Sequence, residues 1–136
     1  VHYQAGLEIA QAIVAKDSNN SQAQRDLSHS YSRLGETEQL LGNTHAALDH
    51  YQAGLEIIQA LVVKDPKSAE FQRGIAVGLV KLGKTYSTLN QPQKTGSYYQ
   101  AALNILLTLQ ATGRLEGVDE QYIPVLQNKI NALTPQ

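Results

Sequence analysis

The sequence predicts an all-α fold, a solenoid of about six antiparallel helices, and three observations carry the prediction. The first is internal repetition. The string HYQAGLEI runs from His2 to Ile9 and again from His50 to Ile57, and the related YYQAALNI runs from Tyr98 to Ile105. The starts at 2, 50 and 98 give one 48-residue period twice, and a fixed period of roughly 20–50 residues marks units that stack to bury a shared core. The second is periodicity: apolar residues recur in steps of three and four, the helical spacing, and no segment sustains the alternation of a strand. The third is punctuation, since turn-forming residues fall between the apolar stripes and not inside them.

Taken in order, the elements are helices near 2–16, 21–41, 44–64, 68–89 and 92–111, with a last one near 119–133. The first holds the first copy of the octapeptide and ends before Asp17-Ser18-Asn19-Asn20-Ser21, with Ser21 a candidate N-cap. The second carries the stripe Leu27, Tyr31, Leu34 and Leu41 and stops at Gly42-Asn43-Thr44. The third carries Ala47, Tyr51, Leu55, Ile58 and Val62. Pro66 closes it, because proline cannot extend the helix and biases Asp65 out of helical dihedrals. Ser68 is the candidate N-cap of the fourth, whose stripe is Phe71, Ile75, Leu79, Leu82, Tyr86 and Leu89. Asn90-Gln91-Pro92 separates it from the fifth. The last opens on Asp119 and Glu120, carboxylates suited to a helix start, and tolerates Pro124 only in its first turn.

Aligning 2–49 with 50–97 gives 19 identities in 48 positions, Gly35/Gly83 and Leu34/Leu82 among them. A mid-helix glycine costs about 1 kcal/mol against alanine. Its recurrence at equivalent positions therefore predicts a partner helix that approaches too closely for a Cβ, with Gly54 facing it and Ala102 in the third copy. Tyr3, Tyr51 and Tyr99 are repeat equivalents and are expected in the core, each hydroxyl reaching a helix end or water. Tyr31 and Tyr86 are expected on buried stripes.

These residues carry a resemblance. Tyr31-x2-Leu34-Gly35-x2-Glu38, Ala47-x3-Tyr51 and Pro66, then Leu79-x2-Leu82-Gly83-x2-Tyr86 and Thr95-x3-Tyr99, resemble the tetratricopeptide repeat. The likeness covers roughly 2–111 and departs at Tyr31 and Leu79 for tryptophan, Glu38 for tyrosine and Thr95 for alanine. The family unit is about 34 residues, so the 48-residue period adds about two turns to each helix. That is similar to the long-helix units common in bacterial multidomain proteins, as are Gln24-Arg25-Asp26-Leu27 and Gly113-Arg114-Leu115. The resemblance implies a single repeat domain over 1–136: the second helix of a truncated repeat at 2–17, full helix pairs at 21–65 and 68–111, and a C-terminal capping helix at 118–134.

In that family the first helix of each unit lines a concave groove. The resemblance places His29, Ser32, Arg33, Glu36 and Gln39 there from the second helix, and Val77, Val80, Lys81, Lys84, Ser87 and Thr88 from the fourth. It implies a scaffold that holds a peptide or partner protein, with apolar contact from Val77 and Val80 and charge selection from Arg33, Lys81 and Lys84. The carboxylate clamp of chaperone-binding members has no counterpart at Ser32, Glu36, Val80 and Lys84.

Composition and motif narrow the alternatives. The chain has no cysteine, hence no disulfide, thiolate zinc site or thiol nucleophile. His45 and His50 are five apart, a poor spacing for one helix face, and zinc needs three or four converging ligands. No metal or cofactor is expected. No nucleophile elbow, phosphate loop or HExxH is present, so no catalytic residue is expected and the chain reads as non-enzymatic. Eleven basic against twelve acidic residues provide no basic track for nucleic acid, and no apolar run approaches a membrane span. The chain also lacks methionine, so Val1 is expected to be a cut end of a larger protein, taken to be cytoplasmic. Its exposed terminal helices, Ile9 and Ile13 included, offer a second reading as a homo-oligomerisation module.

Overall fold

A computed structural model describes residues 7–9, 11–12 and 20–133. Among these the protein is all-helical, without strands. The helices are α1 (Ser21–Leu40), α2 (Thr44–Lys64), α3 (Ala69–Thr88), α4 (Pro92–Ala111), the single turn α5 (Gly117–Glu120) and α6 (Tyr122–Leu133). The expected first helix falls largely outside the described residues, as do Tyr3 and Ile13, though 7–9 and 11–12 are helical. None of the described helices is long and apolar enough to cross a membrane.

The chain divides into two compact units, Val1–Pro66 and Lys67–Gln136. The break falls at the turn that the proline marks. In the first unit α1 and α2 form an antiparallel pair. Leu27 and Leu34 of α1 pack with Leu7 in a buried cluster, and Tyr31 and Ile57 cover its edge. The second unit repeats the plan with α3 and α4, and α6 packs along α4. On α3 the stripe Ile75, Leu79 and Leu82 is buried, as Tyr99, Leu103, Leu106 and Leu109 are on α4. Full burial of each such side chain contributes about 1.5–3 kcal/mol.

The glycines explain how the pairs approach. A Cβ on Gly35 would lie 2.5 Å from Cε1 of Tyr51, and one on Gly83 would lie 2.6 Å from Cε1 of Tyr99. No real Cβ sits so close to a ring carbon, so each glycine is the floor on which a buried tyrosine lies flat. The two contacts are one repeat apart. Gly54 does not face Gly35 as expected: a Cβ on it would lie 3.2 Å from the Ser28 carbonyl oxygen and 3.3 Å from the Cβ of Tyr31, earlier on α1. The Ser28 hydroxyl donates to the Gly54 carbonyl at 3.0 Å. The third-copy Ala102 is fully buried.

Helix ends also repeat. Beyond α1, Gly42 takes a φ of 82°, while Asn43 N–H donates to Glu38 C=O at 2.8 Å and Gly42 N–H to Gln39 C=O at 3.0 Å. This is the Schellman closure. Asn90 (φ 57°) closes α3 in the same way and Gly113 (φ 69°) closes α4. At the N-termini, Ser68 Oγ accepts from Phe71 N–H, as expected.

Several details differ from the sequence reading. Asn20, not Ser21, caps α1, its Oδ1 accepting from Ala23 N–H at 3.0 Å. Leu41 is not on a buried stripe: it is the C-cap residue, where the chain leaves the helix, and it is 69 % exposed. Tyr31 and Tyr86 are half-buried. Toward the end of α2 the buried residue is Leu61, with Val62 half-buried. The final helix is interrupted at Gln121, and Pro124 lies in the first turn of α6, where its missing N–H has no helical acceptor to lose.

Candidate functional site

In the second unit a groove of about 380 Å³ lies between α3 and α6. Its first wall is the α3 face Val77, Val80, Lys81 and Lys84, spaced i, i+3, i+4, i+7 on one side of the helix. The α6 wall repeats that spacing with Tyr122, Val125, Leu126 and Lys129. Ala76 and the buried Leu106 of α4 make the floor.

One end is closed by an ion pair. Arg73 Nε donates to Asp119 Oδ2 at 2.6 Å. The carboxylate side chain is only 5 % exposed, whereas Arg73 is half in solvent. The hydrogen bond to Asp119 raises the Arg73 pKa above its ordinary value. Nearby, Arg114 Nη1 donates to the Lys67 carbonyl at 2.6 Å. The single turn α5 thus serves to seat Asp119 and launch α6 beside α3.

The two walls run parallel. Asp119, just before α6, meets Arg73 near the start of α3. Lys129, a turn before the end of α6, holds its Nζ 5.9 Å from the ring centre of Tyr99, the ring that lies on Gly83. Lys129 therefore stands at the Lys84 end. The groove has an ion-paired end, an apolar middle and an end that bears lysines from both walls.

Of the residues the sequence singled out, Val77, Val80, Lys81 and Lys84 come together in this groove. Thr88 lies a turn beyond on α3, exposed, its hydroxyl bonded back to the Lys84 carbonyl. Ser87, exposed, is also near the end of α3, and the remaining five are on α1 in the first unit. His29, Arg33 and Glu36 are exposed, while Ser32 and Gln39 are half-buried. Gln39 Oε1 accepts the Tyr51 hydroxyl at 2.8 Å, a packing use. Burial first, and the Glu36 charge second, push the Tyr51 pKa up to about 12. The concavity of the first unit uses another face, lined by Gln24, Leu27 and Tyr31 of α1 and Ala53, Glu56 and Ile57 of α2. Among the described residues no three histidine or carboxylate side chains gather where they could hold a metal.

The sequence reading missed the α6 wall and the Arg73–Asp119 pair. Two signals were present. Tyr122, Val125, Leu126 and Lys129 repeat the spacing of the α3 wall, and charge is divided unevenly. Residues 67–136 hold seven Lys and Arg against four Asp and Glu, net +3, while residues 1–66 hold four against eight, net −4.

Compared with known proteins, the chain matches no protein-family model and no curated protein.

Proposed function

We propose that this chain is a non-enzymatic, cytoplasmic interaction module, built as a tetratricopeptide-type superhelix, that holds a peptide or partner protein in the groove between α3 and α6. The observation that carries the reading is the apolar middle of the groove. Val77, Tyr122 and Val125 are 40, 51 and 44 % exposed there, side by side with Val80. Single exposed hydrophobics are ordinary, but a contiguous set rimmed by charge is the usual form of a binding surface. The groove also favours holding over turnover: its one lining carboxylate, Asp119, is committed to Arg73. The test is a pull-down with the full chain, followed by titration of the recovered partner against wild type, Val80→Asp and Lys81→Glu. Each variant should weaken binding at least about tenfold, about 1.4 kcal/mol. Unchanged affinity would mean that another surface does the work.

A second reading, self-assembly, has one observation in its favour: Ile9, in the helical segment 7–9, is 63 % exposed. Sedimentation equilibrium separates the two. A mass that grows with concentration, and that Ile9→Lys returns to the monomer value, would favour assembly.

A further inference from the structure

We infer that the groove selects an acidic segment of a partner protein. Two or three apolar side chains of that segment would seat between Val77, Val80 and Val125, and neighbouring Asp or Glu carboxylates would lie toward Lys84 and Lys129. This rests on the groove reading above and adds to it the charge and direction of the ligand.

The argument begins with where the charges stand. The carboxylates of residues 67–136 are Glu70, Glu116, Asp119 and Glu120. Glu70 is in the first turn of α3, and the other three belong to the turn that brings Asp119 to Arg73. All four therefore lie at the Arg73 end. Lys81, Lys84 and Lys129 line the opposite end. Two of these, Lys84 and Lys129, are exposed and arrive from different helices that run parallel, so their convergence is a product of the tertiary fold.

A lysine near a helix C-terminus also has a local use, since it complements the helix dipole. That use requires the last turn, and the last turn of α3 contains no basic residue. An ammonium group beside an apolar floor instead gains from a partner carboxylate, because the apolar wall lowers the local dielectric and strengthens the pair. At the other end the neutralised Arg73–Asp119 pair offers no such gain. The groove therefore has a direction, and a ligand binds with its acidic part at the lysine end.

Its dimensions bound the ligand. From Arg73 to Lys84 the α3 wall spans about 16 Å at 1.5 Å per residue. That length accommodates about five residues of extended chain or about three turns of helix. The occupant is a short linear segment and not a folded surface.

The test uses the full chain as bait for a phage-displayed library of random ten-residue peptides. Recovered peptides are synthesised and titrated against wild type, Lys84→Glu/Lys129→Glu and Val80→Asp, with each variant checked for wild-type helicity by circular dichroism. The expected result is enrichment of Asp and Glu next to apolar residues, with affinity at least tenfold weaker for the lysine double variant and reduced by added salt. Peptides without acidic bias that still lose affinity with Val80→Asp would overturn the acidic selection and leave the groove reading standing. An absence of enriched peptides, or binding indifferent to Val80→Asp, would overturn both. A twenty-residue oligothymidylate or anionic phospholipid vesicles that bind the lysine end as tightly as the best peptide would overturn it in favour of a general polyanion site. Concentration-dependent dimerisation that Lys84→Glu/Lys129→Glu abolishes would overturn it in favour of a second copy of this chain, whose residues 1–66 carry net −4.

Discussion

At the scale of single residues, the contacts Gly35–Tyr51 and Gly83–Tyr99 set the helix spacing. Alanine at Gly83 would recover about 1 kcal/mol of helix propensity, yet its methyl would displace a buried ring. Overpacking of that kind costs about 1–3 kcal/mol, and with a ring carbon at 2.6 Å the upper end applies. Gly83→Ala is expected to lower stability by about 1–2 kcal/mol in urea unfolding, and Tyr99→Leu in the same chain should recover part of the loss. Tyr51 gives a second prediction. Its folded pKa of about 12 exceeds the ordinary value of about 10. Its contribution is therefore complete below pH 10 and is lost as pH rises through 12. Stability should fall across that window, and Tyr51→Phe should flatten the fall. The close approach at Gly35 and Gly83 was legible in sequence because two equivalent helices carried the same costly residue, but its partner was not: the rings of Tyr51 and Tyr99 fill the space, not Gly54. The α1 cap was not, because Asn20 and Ser21 are both good caps and only the backbone dihedrals decide between them.

At the scale of elements, the closures after α1, α3 and α4 share one geometry on different residues. Gly42 and Asn90 are repeat equivalents, and both take positive φ. A side chain with a Cβ pays about 1–2 kcal/mol in that region, and asparagine is among the few that visit it readily. Asn90→Ala should therefore cost about 1 kcal/mol in thermal or urea unfolding, and Asn90→Gly should be tolerated or slightly stabilising. Helix boundaries were readable because Gly42, Pro66 and Pro92 punctuate strongly. The break at Gln121 was legible only in part: Pro124 requires a helix start close before it, but nothing local places that start after Gln121. It follows from seating Asp119 against Arg73, 46 positions earlier, a pairing that local propensity does not contain. The α6 wall escaped for the same reason: its apolar spacing read as a cap, and only the tertiary contact made it half of a groove.

At the scale of the whole molecule, the division at Pro66 and Lys67 separates two bodies with opposite net charge. Each has its own helix pair, and a local lesion should register first in its own unit. Arg73→Leu leaves the largely buried Asp119 carboxylate without its partner. Removing one partner of a fully buried pair costs about 3–5 kcal/mol, and the half-exposed Arg73 brings this below that range. Hydrogen exchange measured across the chain should quicken in 112–133 and along α3, with α1 and α2 less affected. Equal acceleration in both units would show that they open together.

The tyrosine laid on its glycine is a peg in a socket, and peg and socket sit 16 residues apart within a unit, 35 to 51 and 83 to 99. A duplicated stretch of 48 residues would carry a complete fitting of its own and disturb neither existing one. Growth by whole units is cheap for such a chain. An insertion of a few residues between peg and socket would leave one hollow empty and one ring without a berth.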